Sequence, residues 1–173
     1  PYNEPGPQDG WSTWASANKD TLNYLRNTAN FKGVVVLDTQ SWAADFNQST
    51  QLDVRTYDAS LLGGTPNVVF SNHWYPNISI SNVNNTANAS NTVPVVIGEL
   101  GQINPGTTGV VSSYVTDVFN SVINTGIPKG HNGVFAWMWN WCDENGMTND
   151  DFVTLNTFGN LVNNNYYKKV GGQ

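Results

Sequence analysis

Cysteine is almost missing from this 173-residue chain: Cys142 stands alone, so no disulfide can form within it. Only His73 and His131 accompany it as imidazoles, which is thin support for a zinc site or a thiol nucleophile. Cys142 therefore reads as a small, semi-buried apolar side chain. Charge is scarce too. Charged residues make up 12% of the chain, and 7 Lys+Arg stand against 13 Asp+Glu, for a net charge of -6. The longest basic run is Lys168-Lys169, so a phosphate-binding stripe is missing and nucleic acid is not an expected partner. No apolar stretch reaches the roughly 18 residues that a membrane span requires, so no membrane partner is expected. The opening Pro-Tyr-Asn-Glu-Pro does not look like a signal peptide. Glycine-rich G-x-G-x-x-G, G-x-x-x-x-G-K-[ST] and G-x-S-x-G motifs do not occur, which argues against dinucleotide, P-loop and nucleophile-elbow chemistry. Neither a cofactor nor a metal is expected.

What fills the space is neutral polarity and indole. Asn and Thr are frequent, and there are 7 tryptophans. Sugars present apolar CH faces to stack on indole and hydroxyls to bond amides, so the composition points to a secreted carbohydrate-active protein. Four Asn-x-Ser/Thr sequons, at Asn47, Asn77, Asn84 and Asn88, are glycosylation acceptors in a eukaryotic host.

Four short apolar runs read as strands: GVVVLD at 33–38, NVVFSNH at 67–73, PVVIGE at 94–99 and GVFAWMW at 133–139. The first three are nearly continuous in Val, Ile, Leu and Phe, as parallel strands buried on both faces are. Helical stripes flank them, at 11–30, 41–62 and 107–125, with a last one at 150–165 capped by Asn149 or Asp150. The polar stretch 76–93 has no such stripe and is expected to be a loop. Repeated βα units imply a parallel sheet, and no linker divides the chain, so 1–173 is expected to be one domain. Polar and aromatic residues gather where these strands end, at Asp38, His73 to Tyr75, Glu99 and the tryptophans from Trp137 on. The active sites of (β/α)8 barrels lie at that end, yet such barrels take about 250 residues.

Glutamate is rare, with Glu4, Glu99 and Glu144 the only three. Glu99 follows four apolar residues and a glycine, a costly place for a carboxylate without partners or a function. Glu4 sits in Asn3-Glu4-Pro5. The order Asn-Glu-Pro, then His-x-Tyr after a later strand, then Gly-Glu-Leu-Gly after the next, then a Trp-rich last strand resembles glycoside hydrolase family 5, the cellulase and mannanase family of clan A. The resemblance covers nearly the whole chain and implies a partial (β/α)8 barrel, a half-barrel of roughly strands 5 to 8. It makes Glu4 the acid/base and Glu99 the nucleophile of a retaining mechanism. Asn3 would hold the sugar 2-hydroxyl, and His73 and Tyr75 would line the subsite, with Tyr75 bonding Glu99. Trp139 is the favoured stacking platform, with Trp137 and Trp141 as alternates on one strand face. Asp38, Gln40 and Trp42 could edge the cleft or simply cap and pack.

The family's first three strands have no counterpart here, nor do the Arg and His that brace the carboxylates. A four-stranded half leaves two edges and a sheet face in need of cover. That cover could come from an absent N-terminal part, from repacking, or, as favoured here, from a second copy in a homodimer that completes the barrel. The expected activity is a retaining endo-β-glycanase on β-1,4 or mixed-linkage β-glucan. An endo-β-mannanase and a non-catalytic glycan-binding module are the alternatives.

Overall fold

The computed structural model describes residues 3–6, 10–103, 109–131 and 133–171. Pro1 and Tyr2, the remnant of an expected preceding strand, lie outside them, as do the first two residues of the stripe at 107–125. Strands β1 (Val35–Asp38), β2 (Val68–Trp74), β3 (Val95–Leu100) and β4 (Val134–Ala136) form one parallel sheet in sequence order. Helices alternate with them: α1 (Gly10–Asn23), α2 (Gln48–Leu61), α3 (Ile80–Ala89), α4 (Ser112–Ser121) and α5 (Thr157–Val162).

The alternation of side chains sorts the strands into two faces. Val35 and Leu37 of β1 and Val68 and Phe70 of β2 pack with Trp14, Leu22 and Val54 beneath α1 and α2. Trp74, Ile97, Leu100 and Val134 pack with Val83, Val115, Phe119 and Phe158 beneath α3, α4 and α5. The opposite face is covered much less. Val36 is 50% exposed and Phe135 64%. The continuous apolar runs had implied burial on both faces, but among the described residues helices cover only one. These are strands of barrel character whose inner face needs a further layer.

Three expectations are corrected. The stretch at 76–93 is not a loop. Ser79 caps α3 with its hydroxyl, which accepts the Ser81 amide at 3.2 Å, and Val83, Thr86 and Ala87 bury one face. Asparagines hide that helix in the sequence because they are weak helix formers that here simply face water. The last helix is capped by Asn156, whose Oδ1 accepts the Gly159 amide at 3.0 Å, not by Asn149 or Asp150. Asp151 instead folds its own turn by accepting the Val153 and Thr154 amides. Cys142 is exposed, not semi-buried.

Away from the strands' carboxyl ends, Arg26 and Asp58 form a fully buried pair, with Nε to Oδ1 at 2.8 Å and both side chains at 0% exposure. Arg26 also donates to the carbonyls of Phe31, Gly33 and Asn67, and Asp58 accepts the Asn67 amide. One ion pair thus joins the end of α1, the end of α2 and the entries to β1 and β2.

His131 is buried against Gly126, where a Cβ would come within 3.1 Å of the histidine. Its Nδ1 accepts the Gly133 amide at 3.1 Å, which needs the neutral ring. Burial pushes its pKa down to about 4. The folded state therefore refuses a proton that the unfolded chain accepts near pH 6.5. The stability is fully present above that pH and is lost as the pH falls from about 6.5 toward 4. The loss is on the order of 3 kcal/mol. Thermal melts of wild type and His131→Gln across that window check it: the wild type should lose the extra stability, and parallel curves would contradict it.

Candidate active site

The carboxyl ends of β1, β2 and β3 converge on one cluster. The pairing of β2 with β3 slips between Asn72 and His73, so that Ser71 pairs Val96 but His73 pairs Glu99. A one-residue slip turns side chains to the opposite face of a sheet. This one carries the Glu99 carboxylate to the face that holds His73. Glycines make the room: a Cβ at Gly98 would collide with Ser71 and come within 3.1 Å of His73 Nε2, and one at Gly101 would collide with the Tyr75 ring. The Gly-Glu-Leu-Gly spacing is therefore a packing requirement of His73 and Tyr75.

Glu4 reaches the cluster from the segment at 3–6. Its backbone is left-handed, with φ of 46°, a conformation that a non-glycine residue holds only under constraint. The constraint is visible: its N–H donates to Asp38 Oδ2 at 3.1 Å, and its Oε1 lies 2.7 Å from His73 Nδ1. His73 Nδ1 is also 3.6 Å from Glu99 Oε2. Tyr75 donates its hydroxyl to Glu99 Oε2 at 2.7 Å. Oxygens of Glu4 and Glu99 lie within 4.8 Å of each other, with the His73 nitrogen between.

The electrostatics follow from this packing. Burial opposes the charged imidazole of His73, but hydrogen bonds to Asp38 and Glu4 and the fields of Asp38 and Glu99 outweigh it, so it titrates above its ordinary value. Burial likewise opposes the Asp38 carboxylate, and contacts with His73, Ser71 and the Glu4 amide overcome it, so Asp38 titrates below its ordinary range. Burial, the bond to Glu99 and neighbouring carboxylates push Tyr75 far up, keeping it a proton donor.

The cluster opens into a cleft of about 590 Å³ lined by Glu4, His73, Tyr75, Trp42, Asp45 and Asn82 among others. Ser41, Trp42 and Ala43 are three successive left-handed residues. That turn is held by Asn72, whose amide donates to Thr39 Oγ1 and to the carbonyls of Ala43 and Asp45, and by the bond from Trp42 N–H to Pro5 O at 2.9 Å. It presents Trp42, 57% exposed, to the cleft. Asn3 is exposed beside Glu4.

The three late tryptophans do not share a strand face, because β4 ends at Ala136. Trp137 stays at the strand end, its N–H on Leu100 O at 2.9 Å, next to Glu99. Trp139 lines a separate hollow with Met147, Leu155, Val162 and Tyr167, and Trp141 packs edge-on against Phe152. Of the three, Trp137 lies nearest Glu99 in the strand pairing, and the chain leaves the strand before it reaches Trp139. Gln40 is buried and lines a hollow beside Trp14, not the cleft. Sequence reading missed Asn145. Its Oδ1 accepts the Gln102 and Ile103 amides at 2.8 and 3.0 Å, tying the loop after β3 to the one after β4. An Asn-Gly pair in a polar stretch signals only a turn.

A parallel βα sheet with chemistry gathered at its strand carboxyl ends is an arc of a (β/α)8 barrel. More particularly, the chain belongs to glycosyl hydrolase family 5: the family model Cellulase (glycosyl hydrolase family 5) matches residues 1–145. A curated relative, "Mannan endo-1,4-beta-mannosidase" of Cellvibrio japonicus (strain Ueda107), is 32% identical across 94% of this chain and 37% of its own length. Among solved structures, the beta-glucanase SdGluc5_26A from Saccharophagus degradans in complex with cellotetraose superposes with a TM-score of 0.62 at 18% identity. It covers 92% of this chain and 50% of that one. A GH5-4 broad specificity endoglucanase from an uncultured bacterium gives 0.51 at 15% identity, covering 92% and 48%. The chain spans 37% of the curated relative and about half of the solved chains.

Proposed function

We propose that the chain carries the catalytic pair of a retaining endo-β-glycanase acting on β-1,4-linked or mixed-linkage β-glucan, with Glu99 as nucleophile and Glu4 as acid/base. The observation that carries this reading is that one oxygen of Glu4 and one of Glu99 lie within 4.8 Å of each other across His73. Retaining glycosidases hold theirs about 5–5.5 Å apart, and inverting ones leave room for a water at roughly 6.5–9.5 Å. In the first step Glu99 attacks the anomeric carbon while Glu4 gives its proton to the departing glycosidic oxygen. In the second, water attacks the same carbon, its proton passes to Glu4, and Glu99 is released. Tyr75 holds Glu99 through Oε2 and leaves its other oxygen for attack. Asn3, Trp137 and Trp42 are the side chains proposed to contact sugar, with Trp42 lining the cleft.

The mannanase named in the curated relative supports mannan as the second reading, because the same carboxylate pair serves either sugar. Reducing-end release from barley glucan, carboxymethyl-cellulose and mannan separates the two. Proton NMR of the first product formed reads the stereochemistry: β-anomer first is expected, and α-anomer first would sink the retaining mechanism. Glycan binding without turnover would instead mark a non-catalytic module. A polysaccharide too large to enter a cell also favours a secreted protein. A second copy closing the face that bears Val36 and Phe135 is the proposed partner, and sedimentation at micromolar concentration should show a dimer. A monomer would refute that partner.

A further inference from the structure

Asp38 makes no move in the two steps above, yet it touches both supports of Glu4. Its Oδ2 accepts the Glu4 N–H at 3.1 Å, and its Oδ1 lies 3.5 Å from His73 Nε2. His73 in turn meets Glu4 Oε1 through its other nitrogen at 2.7 Å. Asp38 is itself fixed: the indole N–H of Trp14 donates to its carbonyl at 2.9 Å, and the Thr39 amide that follows it bonds Ser71 O at 3.0 Å.

We propose that Asp38 is a positioning residue of the acid/base: it holds Glu4 by its backbone and His73 by Nε2, and so keeps one proton resident on the Glu4–His73 hydrogen bond. This rests on the reading of Glu4 as acid/base.

Counting protons shows why. A carboxylate at Nε2 keeps that nitrogen protonated. The second ring nitrogen then faces Glu4 in one of two ways. Either Nδ1–H donates to the Glu4 carboxylate, or the Glu4 carboxylic acid donates to Nδ1. Both states hold the same number of protons and differ only in where one of them sits along a 2.7 Å contact. The proton that the leaving oxygen requires is thus stored at the site before substrate arrives. The groups facing His73 all favour its retention. They are Asp38 from β1, Glu4 from the segment at 3–6 and Glu99 from β3, with Tyr75 of β2 bonded to Glu99. Without the Asp38 charge, Nε2 can lose its proton, and Nδ1–H would then compete for Glu4 as a neutral donor with nothing to hand over.

The chain's two histidines make the test direct. With ¹⁵N-labelled histidine, and His131→Gln to assign the signals, the wild-type His73 should titrate above pH 6.5. In Asp38→Asn its midpoint should fall by about one unit or more, the effect of an opposite charge within 4–6 Å, while His131 stays put and reports an intact fold. A wild-type midpoint at or below 6.5 overturns the proposal without any variant, as does an unmoved midpoint in Asp38→Asn. The kinetic arm compares leaving groups. Asp38→Asn should lower kcat/KM on polysaccharide about 10- to 100-fold, a part of the roughly 10²- to 10⁴-fold that general acid catalysis supplies, and change it less than about threefold on a dinitrophenyl glycoside, which leaves without a proton. Equal losses on both would mark general distortion and refute the positioning role. A wild type that turns over neither substrate would defeat the glycosidase reading itself, and the NMR arm would then decide the proton's placement alone.

Discussion

Glu99→Gln is expected to remove hydrolysis almost completely, by about 10⁴-fold or more in kcat, as loss of a covalent nucleophile does elsewhere. The replacement is nearly isosteric. Its amide oxygen can still accept the Tyr75 hydroxyl, which now donates at 2.7 Å, so the melting temperature should stay within a few degrees of wild type. The loss should also be indifferent to the leaving group, since attack on the anomeric carbon precedes every product. Glu4→Gln should behave differently. It should cost about 10²- to 10⁴-fold on polysaccharide but spare the first step on a dinitrophenyl glycoside. Steady-state assays on both substrate types check the pair, and more than a tenth of wild-type activity in Glu99→Gln would overturn the assignment.

Arg26→Met should be the most damaging single change to stability outside the cores. Asp58 would be left fully buried without its cation, and breaking a buried pair costs about 3–5 kcal/mol. For a chain of this size each kcal/mol moves the melting temperature by roughly 2–4 °C, so a drop of about 10 °C or more is expected. The carbonyls of Phe31 and Gly33 would also lose the Arg26 donor, and that of Asn67 would keep only the Val35 amide. The double variant Arg26→Met/Asp58→Leu should recover part of the loss, because it removes the orphaned charge together with its partner. Thermal and urea melts decide the matter: a single variant within 1 kcal/mol of wild type, or a double variant worse than either single, would contradict it.

How much of this was legible in the sequence depends on distance along the chain. The apolar runs marked all four strands, since parallel strands must be apolar on the face that meets the helices. The rare glutamates and the His-x-Tyr pair marked the carboxylate cluster, because a charge at the end of an apolar run needs partners. The slip between Asn72 and His73 was not legible: it depends on how two strands 27 residues apart settle against each other. Nor was the Arg26–Asp58 pair, whose members are 32 residues apart with no local pattern to join them. Asp38 stood at a strand end and suggested cleft or cap equally well. Its grip on Glu4 spans 34 residues. The tryptophans misled because alternation holds only while a strand lasts, and β4 is three residues long.

The central claim is that Glu99 forms the covalent glycosyl intermediate. A 2-deoxy-2-fluoro β-glycosyl fluoride, in gluco and manno configurations, forms that bond readily and releases it slowly. Intact-mass spectrometry followed by peptide mapping should show one added sugar per chain, carried by the peptide containing Glu99 and absent in Glu99→Gln. An active protein that gains no sugar, or gains it on another residue, would contradict the account.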